Sequence, residues 1–110
     1  MSEKIFKPMP GSFSGETKVV AVDCEMVETD RWGEGLARVS IVNYYGVILM
    51  DKFVIPECDQ VTNYRTWVSG VRPENLKIEN GALKFKDAKE QAHKLLKDKI
   101  VVGHSLKHDF

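Results

Sequence analysis

Apolar positions along this chain fall into a few short runs and one helical stripe. Val19-Val20-Ala21-Val22 is continuous and stops in acid, which predicts a central strand over Lys18–Asp23 buried on both faces. Cys24–Gly35 is polar, carries Gly33 and Gly35, and reads as a connection. Leu36–Tyr44 and Val47–Phe53 are rich in β-branched and aromatic residues and flank Tyr44-Tyr45-Gly46, the pattern of a hairpin. Ala37, Val39 and Ile41 supply its apolar face. Pro56 closes the second arm, and Glu57–Gly70 reads as a loop. Pro73 opens a short helix over Pro73–Ile78, which Asn80-Gly81 ends. Phe85, Ala88, Ala92, Leu95 and Leu96 recur at helical spacing and predict an amphipathic helix over Lys84–Asp98. Ile100-Val101-Val102 is a second short buried strand, and a further helix starts at Ser105. Residues 1–17 hold Pro8, Pro10 and little periodicity, so they read as a mobile tail with Ile5, Phe6 and Phe13 as docking points.

A strand that follows a helical crossover pairs parallel with an earlier one. The expected architecture is α/β with a mixed sheet, in one domain over residues 18–110. With 43% hydrophobic and 29% charged residues in 110, wholesale disorder and collagen-like repetition are excluded. The longest apolar runs are four residues, far short of the roughly 20 that span a bilayer. No secretory leader opens the chain, and Cys24 and Cys58 form neither a zinc-ligand pattern nor a disulfide framework, so a reducing intracellular setting is expected. A formal net charge of zero leaves nucleic acid open, because a local patch decides that question.

The acids carry the chemistry. Asp23 and Glu25 are two apart, so on a strand both carboxylates point to one face. Two such groups repel unless a cation neutralises them, and oxygen donors suit Mg²⁺ or Mn²⁺ better than zinc. An acidic strand end open to water is the plainer explanation of the pair. Asp109, in Gly103-His104-Ser105-Leu106-Lys107-His108-Asp109, follows the second buried strand and would emerge at the same sheet end, where ligands collect in open α/β sheets.

These segments resemble a known family. Val20-Ala21-Val22-Asp23-Cys24-Glu25-Met26-Val27 and Gly103-His104-Ser105-Leu106-Lys107-His108-Asp109-Phe110 are similar to motifs I and II of the DEDDh 3′–5′ exonucleases. Gly35–Asn43 and Tyr64–Leu76 between them resemble the RNA exonuclease 4 branch. The resemblance implies an RNase H-like fold, here a mixed sheet flanked by helices and incomplete at the C-terminus. It implies hydrolysis of RNA at single-stranded 3′ ends, with DNA as an alternative substrate, using two divalent ions, Mg²⁺ or Mn²⁺. Asp23, Glu25 and Asp109 match its catalytic metal ligands, and Met26, Arg65 and His104 match residues that touch the terminal nucleotide. Ribosomal RNA processing in the nucleus or nucleolus follows by the same analogy, with no membrane and no inferable protein partner.

Each role has a plainer alternative. Met26 can pack on a base or fill the core. Arg65 can hold a phosphate by paired hydrogen bonds or form a surface salt bridge. Trp67 reads first as an anchor that buries its loop against the sheet, and second as a stacking surface for a base. The lysines of the amphipathic helix alternate with Asp87, Glu90 and Asp98 and read as a solvated face. The family's third motif, with a general-base histidine and a fourth aspartate, is not among these 110 residues; neither His93 nor His108 matches it. The expectation is an amino-terminal part of an exonuclease domain that is inactive alone. A catalytically dead nucleic-acid-binding or interaction module is the competing class. A phosphatase-like hydrolase is a weaker third, because Tyr64–Leu76 counts against it.

Overall fold

In the computed structural model, which describes residue 11 and residues 13–31 and 33–103, strand β1 covers Val19–Thr29. The predicted strand therefore continues six residues beyond Asp23, through the supposed connection, and pairs antiparallel with β2, Gly33–Asn43. Low β-propensity at Asp23, Glu25 and Glu28 is outweighed by a full antiparallel ladder. Burial in β1 alternates, with Val20, Val22 and Cys24 enclosed and Val19, Ala21 and Asp23 half-buried, so burial on both faces is not what the strand adopts. The hairpin prediction holds: β2 turns at Asn43–Val47 into β3, Ile48–Ile55.

The segment read as a loop, Glu57–Gly70, contains strand β4, Val61–Asn63, and a four-residue helix α1, Thr66–Ser69. Two 3₁₀ turns follow, Pro73–Leu76 and Ile78–Asn80, where one short helix was predicted. Strand β5, Leu83–Lys84, pairs parallel with β3 and leads into helix α2, Phe85–Leu96, within the predicted span. Strand β6, Ile100–Gly103, runs parallel to β1, pairing Val19 with Ile100 through Val22 with Gly103. Its apolar side chains are exposed rather than buried, because among the described residues β1 is its only neighbour in the sheet. The sheet order is β4-β1-β2-β3-β5, with β6 beside β1. No described helix is long and apolar enough to cross a membrane. The expected helix from Ser105, together with His104 and Asp109, lies outside the described residues, as do residues 1–10 of the expected tail.

The principal core lies between the sheet and α2. Val20, Val22, Cys24, Val39, Ile41, Met50 and Val54 meet Ala88 and Ala92, whose small side chains let the helix lie close, and Phe85, Leu95 and Leu96 seal the edge. A smaller cluster joins Val27, Ala37 and Val71, with Phe53, Val61, Tyr64 and Leu76 around it. Gly35, opposite Val27, keeps this end closed: a Cβ there would sit 2.8 Å from Thr29 Cγ2 and 2.9 Å from Pro56 Cβ.

Buried Asn43 ties residues 13–15 to the hairpin turn. Its Nδ2 donates to the carbonyls of Phe13 at 2.7 Å and Gly15 at 2.9 Å, and its Oδ1 accepts from the amides of Tyr45 and Val47. Both ends of the amide are thus satisfied, as burial requires.

A polar cluster occupies the sheet face away from α2. Arg38 Nε and Nη2 donate to Asp51 Oδ1 and Oδ2 at 2.9 and 2.8 Å, Ser40 Oγ donates to the same Oδ1, and the guanidinium lies 5.1 Å from the Phe53 ring centroid. The hydrogen bond from Arg38 holds the Asp51 carboxyl below its ordinary pKa of 3.8. A carboxyl depressed in the folded state contributes stability above its unfolded pKa and loses it as pH falls through the folded one. Urea unfolding at pH 7 and pH 3 therefore costs the parent more stability than Asp51→Asn, by up to about 1 kcal/mol for this partly exposed pair. Equal acid losses in the two proteins would remove Asp51 from the acid response.

Candidate nucleic-acid interface

The central stretch of β1 is where the sheet leaves an opening. On one edge β6 pairs with Val19–Val22 and β4 pairs with Glu28 and Thr29. Asp23–Val27 between them has no partner strand on that edge among the described residues. Asp23 and Glu25 are therefore not at a strand end, as the sequence reading had it. They sit in mid-strand, opposite Ser40 and Arg38 of β2, on a stretch whose other edge no described strand pairs. Alternation puts both on the face away from α2, whereas Cys24 between them is buried in the α2 core.

A bulge accompanies the pair. Register steps from Glu25 opposite Arg38 to Met26 opposite Leu36, which leaves Ala37 as an extra residue in β2. Bulges of this kind re-aim side chains and collect beside functional sites.

The wall of the opening is α1 and its approach. Asn63 Oδ1 accepts from the Arg65 amide at 2.9 Å, and the Arg65 carbonyl accepts from the amides of Val68 and Ser69, both at 2.8 Å. Thr66 Oγ1 donates to the Val71 carbonyl, Ser69 Oγ donates to the Tyr64 carbonyl, and the Val71 amide donates back to Ser69 Oγ. Gly70 closes the turn at φ 74°, a conformation glycine adopts without steric cost. Arg65 itself is left-handed at φ 50° and ψ 42°, which costs a non-glycine residue on the order of 1–2 kcal/mol. The hydrogen-bonded turn holds it there, so the guanidinium leaves the backbone from a fixed point.

Between this wall and β1 lies a cleft of about 160 Å³, lined by Cys24, Glu25, Met26, Glu34, Arg65, Val68 and Ser69. It brings together three of the six residues singled out in sequence: Glu25, Met26 and Arg65. Asp23 shares the strand face of Glu25 and is not part of the lining. Asp109 and His104 lie outside the described residues, and among the described residues no three His, Cys, Asp or Glu side chains form a metal-binding group. Arg65 approaches Glu28 Oε2 at 3.9 Å through Nε and Glu34 Oε2 at 3.7 Å through Nη1. Both separations exceed a hydrogen bond, so these are loose ion pairs.

Glu34, Val68 and Ser69 were missed in the sequence reading. A signal for Glu34 was present. Once Cys24–Gly35 is recognised as a hairpin, Glu34 falls directly opposite Glu28, and like charges so placed require a cation, which Arg65 supplies. Trp67 is 89% exposed, which overturns its reading as a buried anchor. The alternating charges of α2 are a solvated face, with Lys86, Lys89 and Lys94 exposed.

No family model matches the chain. Curated proteins and solved structures do. RNA exonuclease 4 of Candida glabrata is 48% identical over 94 residues, covering 84% of this chain and 34% of the relative. RNA exonuclease 4 of Candida albicans is 42% identical over 110 residues, 94% of this chain and 37% of the relative. The mouse interferon-stimulated gene 20 kDa protein is 49% identical over 98 residues, 88% of this chain and 31% of the relative. This chain thus spans about a third of the length of the curated relatives it matches. Among structures, the pseudoubiquitin hydrolase–RNA exonuclease module of Saccharomyces cerevisiae Pan2 with AAGGAA RNA superposes with a TM-score of 0.67 at 25% identity, over 93% of this chain and 20% of that one. The mixed sheet matches that of the Pan2 RNA exonuclease module, and identities above 40% over most of the chain make these 110 residues similar to the corresponding third of RNA exonuclease 4 proteins.

Proposed function

We propose that the protein is a 3′–5′ exoribonuclease that takes the 3′ end of single-stranded RNA at the opening beside β1. The observation that carries this reading is the cleft in which Glu25, Met26 and Arg65 converge, beside the stretch of β1 holding Asp23 whose outer edge no described strand pairs.

The donor set suits Mg²⁺ or Mn²⁺. Cys24 packs in the α2 core, and the carboxylates of Asp23 and Glu25 supply the hard oxygen ligands those ions prefer. Asp23, Glu25 and Asp109 would hold two such ions, which when bound stabilise charge on phosphodiester oxygens and make water a stronger nucleophile. The side chains do the rest. Arg65 exchanges its loose glutamate pairs for a phosphate, to which a guanidinium donates two parallel hydrogen bonds. Met26 packs its thioether on the terminal base or ribose, and His104 orients the same nucleotide. The proton-accepting histidine of the third motif is not assigned among these residues. Ribosomal RNA processing in the nucleus is the cellular setting the family relationship favours.

The test uses full-length protein, Mg²⁺ and 5′-labelled single-stranded RNA. Products shorten by one nucleotide at a time from the 3′ side, a 3′-phosphate slows release, and circular RNA survives. Cleavage of the circle would overturn the reading. RNA that is bound and never shortened would instead favour a catalytically dead binding module.

A further inference from the structure

The polarity of α1 is inverted. Its one buried side chain is Ser69, while Trp67 is 89% exposed and Val68 46%. A helix held to its sheet by apolar packing would show the reverse. Here the side-chain hydrogen bonds of Thr66 and Ser69 to the neighbouring backbone fix the turn, and the two apolar residues are left to face outward. Val68 lines the cleft beside Arg65 and Glu25, and Trp67, the preceding residue of α1, lies outside the lining and open to solvent.

We propose that Trp67 is a stacking platform for a base of the RNA strand leading into the cleft, and that Val68 continues the same apolar surface inward. The proposal rests on the reading of the protein as an RNA exonuclease, and it adds a contact outside the reacting nucleotide. An indole offers the face on which any base stacks, so the contact supplies affinity without sequence preference. The occupant follows from the short helix itself, which joins a cleft whose guanidinium suits phosphate, through Arg65 and Val68, to an exposed indole one residue away in sequence. No charged side chain intervenes in the sequence Thr66-Trp67-Val68-Ser69.

The experiment uses the full-length protein with Ca²⁺ as the divalent ion, so that RNA binds without turnover. A Trp32→Phe background leaves Trp67 as the reporter among these 110 residues. Saturable fluorescence quenching by single-stranded oligoadenylate is expected, and Trp67→Ala weakens binding about tenfold, the effect usual for one lost stacking contact. Trp67→Phe recovers most of it. With Mg²⁺ restored, Trp67→Ala raises KM by a similar factor and leaves kcat within about twofold, the mark of uniform binding. An abasic residue at the stacked position removes the difference between parent and Trp67→Ala, as a double-mutant cycle requires.

Because Trp67 is exposed, its truncation leaves the fold intact, which the unfolding midpoint verifies. Unchanged affinity in Trp67→Ala, with RNA still bound and shortened, would overturn this proposal and leave the exonuclease reading standing. A change in oligomeric state in place of RNA affinity would overturn it in favour of a protein contact. A parent that neither binds nor shortens RNA would overturn both.

Discussion

Under the proposed function, single-nucleotide release from RNA by the full-length protein falls on the order of a thousandfold in Asp23→Asn, and comparably in Glu25→Gln. Groups placed to stabilise charge in a transition state typically cost 10²–10³-fold each when removed. Here the loss has a definite origin. Each substitution keeps the size of the side chain, turns one acceptor oxygen into a donor nitrogen and removes one negative charge from the oxygen set beside the cleft. The α2 core is untouched, because Asp23 and Glu25 point away from it and the intervening Cys24 fills it. Unfolding midpoints therefore stay close to that of the parent. Calorimetric titration with Mn²⁺ separates a metal role from a direct one: both variants bind the ion more weakly, and chelation with EDTA followed by Mg²⁺ restores the parent alone. Glu90→Gln, on the solvent side of α2, matches the parent in every assay. Retained activity in Asp23→Asn, or metal affinity equal to the parent's, would remove the carboxylates from the chemistry.

The pair was legible in sequence, but its setting was not. Asp23 and Glu25 were read as a strand end because charged residues commonly punctuate strands. In the structure β1 continues through them to Thr29, and among the described residues β6 pairs with it as far as Val22 and β4 from Glu28. That edge is set by pairings 32 to 81 residues away, which no local pattern encodes. The hairpin β2–β3, helix α2 and the parallel return of β6 were legible because each rests on a sustained period, two for strands and 3.6 for the helix.

The region from Glu57 to Gly70 was misread for a different reason. Strand β4 has three residues, too few to show alternation, and α1 has four, too few for a helical stripe. What builds α1 is side-chain hydrogen bonding to the backbone by Asn63, Thr66 and Ser69, which in sequence looks like any polar loop. Trp67 was placed inside by hydrophobicity alone, and that is a weak argument, since much of a folded protein's surface is apolar. The exposure of β6 has a simpler origin. An apolar run announces a strand, and its burial depends on what lies over it.

Two isoleucines test how far the pleat itself was correctly read. Ile41 is fully buried in β2, opposite Val22 in register and within the layer that packs on α2, whereas Ile48 at the start of β3 is 60% exposed. Ile41→Ala removes methyl and methylene groups from a close-packed site whose neighbours, Val20, Val22 and Val39, sit on paired strands and have little freedom to collapse. The expected loss is about 2–5 kcal/mol, a large part of the roughly 5–15 kcal/mol that a domain of this kind holds. Ile41→Val keeps most of the volume and costs about 0.5–1.5 kcal/mol. Ile48→Ala stays within about 0.5 kcal/mol, since water already reaches that side chain. Urea titration with a common slope measures all three. The consequence reaches the opening beside β1, because Val22, held against Ile41, is the last residue before Asp23. Partial loss of this layer frees the strand at the point where its carboxylates begin, so Ile41→Ala also broadens the metal-binding isotherm below its unfolding transition. Equal stability losses for Ile41→Ala and Ile48→Ala would mean that β2 and β3 do not present these faces, and the placement of Asp23 and Glu25 opposite the α2 core would fall with them.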